Sequence, residues 1–355
     1  MRQCLVLSLG KHNPSSRIRL RSYQSLFRRA GWELRFHHFH SGMGREVPRN
    51  RRERMVERLF RWGQTLLVGV KLLTLPRQAP IIVNREMPIS PLLLELVSNP
   101  VILDIDDALY LGPGREHVLR IARRADLVVC GNELISEALL PHCERTEVIP
   151  TVVDCESFRP AQNPLPPHPL KLGWLGSSLS VDFTLKPFLP VLDELRSRLD
   201  FRLVVVVDGQ PSYLQRRPWV DLVEWSQEAE KVLGELFHIG LMPLEQDPFQ
   251  AAKCGCKLIQ YMACGLPSVA TSVGVNRSIL QEGKTGYLAG NAGQWHDALL
   301  TLAHDPVLRT EVGRVAREVA VQSYSLNAWE ARWIELLSNL TRADRIRSTP
   351  VKTDR

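Results

Sequence analysis

The sequence predicts an α/β protein with two doubly wound parallel-sheet domains of the Rossmann-like kind. Short apolar runs of strand length alternate with longer segments in which apolar residues recur every three or four positions. A proline-rich segment in the middle of the chain interrupts this alternation once, and the alternation then begins again. Such a pattern is typical of parallel sheets covered by helices on both faces.

The first half of the chain supplies one complete set of alternating elements. Its predicted strands are residues 4–9, 34–39, 81–83, 101–105, 127–130 and 147–149. Its predicted helices are residues 16–30, 51–75, 90–97, 116–125 and 134–141. We read the N-terminal apolar run as a buried first strand and not as a signal peptide, because it is short and ends at Lys11.

Residues 159–170 carry five prolines and predict a stiff linker between two domains. The boundaries expected on this basis are 1–158 for the first domain and 171–324 for the second. We expect the helix at about 325–340 to pack back on the first domain. The polar tail 341–355 is expected to be flexible.

The second half repeats the alternation. Its predicted strands are residues 171–175, 203–207, 221–225, 239–242, 268–271 and 286–288. Its predicted helices are residues 185–199, 228–236, 253–264, 294–303, 307–322 and 327–340. Two such domains would leave a cleft between the carboxyl ends of their sheets, which is where open α/β sheets bind ligands.

Composition narrows the class of protein. The 44% hydrophobic content of the 355 residues is ample for packed cores, and no uncharged apolar stretch is long enough to span a membrane. The seven cysteines form no CxxC pair, so we expect reduced and mostly buried thiols in a cytoplasmic protein. A metal site at Cys254, Cys256 and Cys264 is a minor alternative.

The segment 253–274 carries the clearest functional signal. A helix over residues 253–264 would place Lys253, Lys257 and Gln260 on one face, at positions i, i+4 and i+7. Two cations near a helix N-terminus make an anion site. The alternative is an ordinary solvated face.

The first βα turn points to the same chemistry in the first domain. It lacks GxGxxG, which makes a dinucleotide dehydrogenase unlikely. Ser15 and Ser16 are good N-cap residues, and Arg17 and Arg19 follow in the first helical turn. Cations there oppose the helix dipole, so we expect a bound phosphate to compensate them.

Carboxylates end the fourth predicted strand. Asp106 and Asp107 would perturb each other's pKa, and one of them is suited to position or deprotonate a hydroxyl group. The alternatives are an N-cap for the next helix, or metal binding by Asp104 and Asp106 as a DxD pair. His37, His38 and His40 are interpreted as edge or surface residues.

Stretches along nearly the whole chain resemble one family. They are Pro14-Ser15-Ser16-Arg17, Asn84-Arg85-Glu86, Asp104-Ile105-Asp106-Asp107-Ala108, Gly131-Asn132, 149–154, 173–177, 240–244, 253–274, Gly274-Val275-Asn276 and Gly286-Tyr287-Leu288. In this order they resemble the nucleotide-sugar-dependent glycosyltransferases of GT-B fold in retaining family 4. The subgroup that the chain looks most like is bacterial and works on surface polysaccharide or lipid-linked glycans.

The resemblance implies a set of site residues. The donor would be bound by Ser15, Ser16, Arg17, Gly176, Ser177, Trp225, Gln260, Val275 and Asn276. The residues implied in catalysis are Asp106, Asp107, Lys253 and Lys257, and those on the acceptor side, in the first domain, are Arg85, Glu86 and Asn132. Two glutamates common in the family are replaced by Ala252 and Gln260. The usual early arginine of the second domain has no clear match, which leaves the two lysines as the diphosphate cations.

The function implied is hexosyl transfer from a nucleotide sugar to a glycan or lipid-linked acceptor, with retention and without a cofactor or divalent metal. Ser177 amides and Arg17 are expected to assist the lysines. Two alternatives remain open. One is a catalytically silent module that binds a nucleotide sugar, and the other is a nucleotide-sugar epimerase.

The basic charge of the chain is concentrated in its first 61 residues, which carry 15 Lys and Arg against 4 Glu. Segment 45–75 combines arginines with apolar residues, and the helical period places Val56, Leu59, Phe60 and Gly63 on one stripe. We therefore expect peripheral contact with the anionic inner face of the cell membrane, and no nucleic-acid partner. The alternative is an ordinary crossover helix whose leucine-rich half packs on the sheet.

Overall fold

The computed structural model describes residues 1–11, 13–39, 51–85, 87 and 89–347. The chain forms two compact units, one of Met1–Pro150 with Trp329–Arg355 and one of Thr151–Ala328. The proline-rich segment belongs to the second unit, as do residues 151–158, which the sequence analysis assigned to the first domain. The reason is packing, since Val153, Cys155 and Phe158 are buried in a core of the second unit.

The first unit is built on a six-stranded parallel sheet in the order β2-β1-β3-β4-β5-β6. Its strands are β1 (Arg2–Ser8), β2 (Trp32–His38), β3 (Ile81–Asn84), β4 (Val101–Ile105), β5 (Leu127–Cys130) and β6 (Thr146–Val148). All six predicted strands of this half are confirmed. The sequence predicts these strands well because β3, β4 and β5 are buried along their whole length. Parallel strands that are covered on both faces are continuously apolar.

The helices of the first unit are α1 (Gln24–Arg29), α2 (Arg51–Thr74), α3 (Pro91–Glu95), α4 (Arg115–Arg124) and α5 (Glu133–Leu139). Shorter turns are a π-helical turn at Ser16–Leu20 and 3₁₀ turns at Arg21–Tyr23, Leu109–Leu111 and Leu140–His142. The single helix predicted over 16–30 is therefore three segments. Arg19 explains the break in regularity, because its side chain turns inward to the buried Asp104.

The second unit repeats the architecture with the strand order β12-β11-β10-β7-β8-β9. Its strands are β7 (Leu170–Ser177), β8 (Phe201–Asp208), β9 (Val220–Glu224), β10 (Ile239–Met242), β11 (Ser268–Thr271) and β12 (Tyr287–Ala289), all parallel to their neighbours. The six strands predicted for this half are confirmed as well.

Helices cover both faces of this second sheet. They are α6 (Ser178–Ser180), α7 (Lys186–Leu195), α8 (Ser212–Gln215), α9 (Pro248–Ala251), α10 (Cys256–Ala263), α11 (Asn276–Ile279), α12 (Ala292–His304) and α13 (Pro306–Ser323), with a π-helical turn at Val181–Leu185. The helix predicted over 228–236 is instead two 3₁₀ turns, Ala229–Lys231 and Leu233–Glu235.

The last helix, α14 (Leu326–Arg347), belongs to the first unit from Trp329 onward. Trp333 is fully buried there and makes edge contacts with Tyr23 and Phe27 at centroid distances of 6.5 and 6.4 Å. Arg332 adds an ion pair with Glu147, 2.7 Å between Nε and Oε1. These contacts close the first core with a helix from the end of the chain.

Each sheet has one point at which the chain reverses its direction of travel across the strands. In the first sheet this switch point lies between β1 and β3, and in the second between β7 and β10. Loops that leave the carboxyl ends of strands at a switch point diverge and leave room for a ligand. We therefore expect the ligand-binding side chains of each unit to lie near its switch point.

Candidate functional site

Lysines and glycines converge near the switch point of the second sheet. Helix α10 begins at Cys256, not at Lys253 as predicted, because Gly255 has the left-handed φ of 61° and serves as its N-cap. Lys253 therefore lies in the preceding turn and not on the helical face that carries Lys257. An alanine Cβ at Gly255 would lie 2.1 Å from Ile279 Cδ1, so this turn is packed directly against α11.

Lys257 lies over the aromatic face of Trp174, with its Nζ 4.3 Å from the ring centroid. Trp174 is fully buried on β7, and a side chain at Gly176 would collide with its indole. Burial, followed by the neighbouring charge of Lys253, lowers the pKa of Lys257 to about 7. We call Trp174, Lys253 and Lys257 the lysine cluster.

The lysine cluster has no acidic partner within the part of the chain that the structure describes. Among the described residues, no carboxylate lies within ion-pair distance of Lys253 or Lys257; the partners found are the ring of Phe249, 5.5 Å from Lys253 Nζ, and Trp174. Clustered cations without counterions are costly unless an anion binds between them. The cluster therefore has the electrostatics of an anion site.

The loop after β11 packs beside the turn that carries Lys253. Gly274 has φ +47°, and an added Cβ would lie 1.8 Å from the carbonyl oxygen of Ala251. Asn276 is fully buried and donates from Nδ2 to the Thr271 carbonyl at 3.0 Å, while its Oδ1 has no donor within the part of the chain that the structure describes. Val275 and Asn276, both predicted donor residues, are thus brought close to the lysine cluster.

Ser177 has a different role from the one expected of it. Its backbone N–H donates to Ser180 Oγ at 2.9 Å, and the two serines form a capping box for the short helix α6. The Ser178 N–H donates to Asp208 at 2.6 Å. These amides serve the turn after β7 in this structure, and binding of diphosphate at Ser177 stays a prediction.

Gln260 and Trp225 meet at a carboxylate that the sequence analysis did not single out. Glu230 is only 2% exposed, and its Oε2 accepts from the Trp225 indole at 3.3 Å and from Gln260 Nε2 at 3.5 Å. Gln260 is also buried, at 3% exposed. Glu230 lies in a 3₁₀ turn far away in sequence, and no spacing signal connects it to Gln260.

The first unit gathers a carboxylate cluster, Ser15, Arg85, Asp106 and Asp107, at its own switch point. Arg85 Nη1 lies 2.7 Å from Asp107 Oδ2, 3.3 Å from Asp106 Oδ1 and 3.0 Å from Ser15 Oγ. Ser15 donates a short hydrogen bond to Asp106. Arg85 has a left-handed backbone, φ 66°, which is strained for a residue with a side chain and is a frequent feature of functional sites.

The side chains of Ser15 and Ser16 do not cap a helix. Ser15 is committed to Asp106, and Ser16 donates to Asn84 Oδ1 at 3.1 Å. Arg19 is not compensated by phosphate, because it forms a buried ion pair with Asp104 at 2.6 Å. Ser15 holds the N-cap position of the π-helical turn but gives it no side-chain cap, and the phosphate prediction for Arg19 is wrong, because the buried Asp104 pairs with it instead.

The pairing of Arg19 also bears on the alternatives for the aspartates. Asp104 is fully buried against Arg19 and Asn84, so a DxD pair with Asp106 lacks one available carboxylate. The following 3₁₀ turn receives no side-chain cap from Asp106 or Asp107. Over the described ranges, no group of three or more His, Cys, Asp and Glu side chains is placed to hold a metal ion.

The remaining predicted residues lie in less informative positions. Asn132 is the N-cap of α5, where its side chain accepts from the Ile135 N–H at 3.0 Å. Arg17 is half-buried in the π-helical turn. Glu86 and His40 lie outside the described residues. His37 contacts Lys71 at 3.0 Å and His38 contacts Ser8 at 2.7 Å, so both take part in local packing.

Comparison with known proteins relates the second unit to one family of enzymes. Residues 170–305, which contain the lysine cluster, match the family of group 1 glycosyl transferases. The D-inositol 3-phosphate glycosyltransferases of Paenarthrobacter aurescens and Pseudarthrobacter chlorophenolicus are 30% and 31% identical to the chain over 135 residues. Those matches cover 36% of this chain and 30% and 29% of the two relatives, so the chain matches about three tenths of their length.

Solved structures cover nearly the whole chain. Sucrose-phosphate synthase from Thermosynechococcus elongatus superimposes with a TM-score of 0.76 at 17% identity, over 96% of this chain and 100% of that one. Anabaena HepE in complex with UDP-glucose superimposes with a TM-score of 0.71 at 14% identity, over the same shares. The chain has the GT-B fold. It resembles the family 4 glycosyltransferases.

Two residues of the second unit depart from what the resemblance to that family implies. Ala252 and Gln260 stand where the family has glutamates, and Ala252 is buried. Glu230, in contact with Gln260, places a carboxylate beside the second of these positions. Trp174, which the sequence analysis quoted only as part of a motif, is the aromatic residue that Lys257 packs against.

Proposed function

We propose that this chain is a glycosyltransferase that moves a sugar from a nucleotide-sugar donor to a glycan or lipid-linked acceptor, with retention of configuration, in bacterial surface-polysaccharide synthesis. The observation that carries the proposal is the lysine cluster. Its two cations have no carboxylate partner in the described part of the chain, and they lie at the switch point of the sheet whose residues match the group 1 glycosyl transferases. The diphosphate of a nucleotide sugar is the anion that this arrangement fits.

The lysine cluster would act on the leaving group. As the bond between the anomeric carbon and the phosphate oxygen breaks, its electron pair goes to the diphosphate, and charge grows on that oxygen. Fixed cations at this position stabilise the transition state more than the ground state. Lys257 takes up a proton on binding, because the diphosphate favours its ammonium form over the neutral form that burial favours.

The carboxylate cluster would serve the acceptor. Arg85 Nη1 forms ion pairs with both Asp106 and Asp107, at 3.3 and 2.7 Å. An ionised carboxylate accepts a hydrogen bond from the acceptor hydroxyl, whose oxygen forms the new bond to the anomeric carbon. The hydroxyl proton then passes to this carboxylate or to the departing phosphate oxygen. Asp106 also accepts the Ser15 hydroxyl, so the serine and Arg85 together position this carboxylate.

The ribose of the donor nucleotide is proposed to lie by Glu230 and Gln260. A ribose diol is well matched by a carboxylate, which accepts hydrogen bonds more strongly than a neutral amide. Glu230 would supply this charge in place of the family glutamate. Anabaena HepE was crystallised with UDP-glucose, which supports a nucleotide-sugar donor for the fold without naming the base for this chain.

Activity is proposed to need no divalent metal, because lysine side chains would replace the ion at the diphosphate. Turnover should persist in EDTA. Loss of turnover in EDTA, with recovery in Mn²⁺ or Mg²⁺, would favour the DxD alternative instead.

The experiment that tests the proposal measures release of nucleoside diphosphate from a panel of nucleotide sugars, with and without an acceptor extract, and the anomeric configuration of the product by NMR. Release that depends on acceptor is expected. Release without acceptor, or conversion of the donor to its epimer, would point to the epimerase alternative. Binding without release would point to a silent module, which the residues Ala252 and Gln260 favour.

The reaction is proposed to take place at the cytoplasmic face of the cell membrane. No helix among the described residues is long and apolar enough to cross a bilayer.

A further inference from the structure

Helix α2 (Arg51–Thr74) has two faces of different character. On one face, Val68 and Leu72 are buried, and Gln64, Thr65 and Gly69 are half-buried. These positions are spaced by three and four residues, so they form the stripe through which the helix packs on its own unit. The leucine-rich half of the helix therefore packs inward only in part.

The opposite face is an exposed apolar row, which we call the outer stripe. Its members follow one another at spacings of three or four residues, and each side chain is more than half exposed. They are Met55 (57%), Leu59 (66%), Trp62 (80%), Leu66 (71%), Val70 (53%) and Leu73 (84%). Val56 and Leu67 extend it on one side, both about half exposed. Of the stripe predicted from sequence, Leu59 lies in this row and Val56 flanks it, and the side chain of Phe60 lies outside the described residues.

The outer stripe is longer than a chance surface patch. Eighteen residues separate its ends, which at the rise of an α-helix is about 27 Å. Single exposed leucines are common on proteins, but a continuous apolar row with a tryptophan on it marks a surface that meets another apolar phase. In solution this row would be wetted along its whole length.

The positive charge of the α2 sequence indicates which kind of partner covers the outer stripe. The helix sequence carries five Arg and one Lys against two Glu, and the first 61 residues carry a net charge of +11. A second copy of the chain would bring two like-charged helices together, which is unfavourable. An anionic bilayer offers negatively charged headgroups directly above an apolar phase, so one helix at this boundary can contact both.

We infer that α2 lies in the interface of an anionic membrane, with the outer stripe turned into the lipid. The inference goes beyond the transfer reaction and does not depend on it, because membrane binding is measured without donor or acceptor. It also fixes which residues of segment 45–75 make the contact.

The test is co-sedimentation of the full chain with phosphatidylcholine vesicles, with and without phosphatidylglycerol, at low and high salt. Wild type is expected to bind the anionic vesicles and to lose binding at high salt, because salt screens the charges. The variant Trp62→Glu/Leu66→Glu should lower the bound fraction at least tenfold. Both side chains are exposed, so its thermal unfolding should match wild type.

Two control variants distinguish the effect of the outer stripe from the effect of changing an exposed residue elsewhere. Leu96 is 81% exposed on the same unit but not on α2, so Leu96→Glu should bind like wild type. Arg52→Glu, which changes an exposed residue of α2, should weaken binding to anionic vesicles at low salt.

The inference is overturned if wild type binds no vesicles, or if Trp62→Glu/Leu66→Glu binds as well as Leu96→Glu. Light scattering, which measures the oligomeric state, can also contradict the inference. A dimer that the double variant abolishes would assign the outer stripe to a second copy of the chain.

Discussion

At the scale of single residues, Lys257 is the most informative side chain, because it is a half-buried cation on an aromatic ring without a carboxylate partner among the described residues. We predict that Lys257→Ala weakens nucleoside diphosphate binding about tenfold or more, since a hydrogen bond to a charged group contributes about 1.5–3 kcal/mol. Calorimetric titration measures the affinity of each variant for nucleoside diphosphate. Lys284, exposed in the same unit, provides the control, and Lys284→Ala should bind normally. Unchanged affinity in both Lys253→Ala and Lys257→Ala would reject the diphosphate assignment.

The pKa of Lys257, lowered to about 7 by burial and by Lys253, predicts a pH dependence. Below pH 7 the ammonium is already present, and above it binding must first protonate the amine. Each pH unit then costs about 1.36 kcal/mol, so affinity should fall up to tenfold per unit above pH 7. Lys257→Arg stays charged and should remove this slope. If wild type and Lys257→Arg show the same slope from pH 7 to 9, Lys257 is not the titrating group.

The two aspartates at the end of β4 predict a separation of turnover from binding. Asp106→Asn or Asp107→Asn should lower turnover about a hundredfold or more, the usual contribution of a general base. Nucleotide affinity should stay nearly unchanged, because neither residue belongs to the lysine cluster. Steady-state kinetics measures turnover and calorimetry measures nucleotide affinity on the same preparations. Full turnover with only a lower melting temperature would make the pair structural.

At the scale of elements, the start of α10 depends on one glycine. Gly255 needs a left-handed backbone and leaves no room for a Cβ beside Ile279. Gly255→Ala should therefore lose stability through both strain and collision, and it should displace Lys253 and weaken nucleotide binding.

Gly283 is the matched control for this prediction, with φ +68° and no atom within 4 Å of an added Cβ. Gly283→Ala should lose only about 1–2 kcal/mol from strain and keep full nucleotide affinity. Chemical denaturation and calorimetry make the comparison. Equal nucleotide affinity in the two variants would mean that the turn at Gly255 does not position the lysines.

Strands and helices differed in how well the sequence predicted them. All twelve strands were predicted, because buried parallel strands are uniformly apolar and the signal is local. The irregular turns at Ser16–Tyr23 and Ala229–Glu235 were predicted as helices. In the first, the inward ion pair of Arg19 with Asp104 joins residues 85 positions apart, and no local pattern contains that information.

The same distinction holds for the candidate site. The lysines and aspartates were found because charged residues interrupt apolar runs at strand and helix ends. The spacing argument for Lys253 failed because it assumed a helix that Gly255 shortens. Glu230 was missed because its meeting with Trp225 and Gln260 exists only in the folded unit.

At the scale of the whole molecule, the chain combines the GT-B fold with the lysine cluster, which we propose as an anion site, in one unit and a carboxylate cluster in the other. The central claim is that a nucleotide sugar binds at the lysine cluster. The measurement that tests it most directly is a thermal-shift screen of nucleotide sugars against wild type and the Lys253→Ala/Lys257→Ala variant. A ligand at 100 times its Kd adds about 2.7 kcal/mol, which corresponds to about 5–10 °C for a unit of this size. We predict such a shift for at least one nucleotide sugar in wild type and its loss in the variant. No shift with any nucleotide sugar, or a shift of equal size in the variant, would contradict the account.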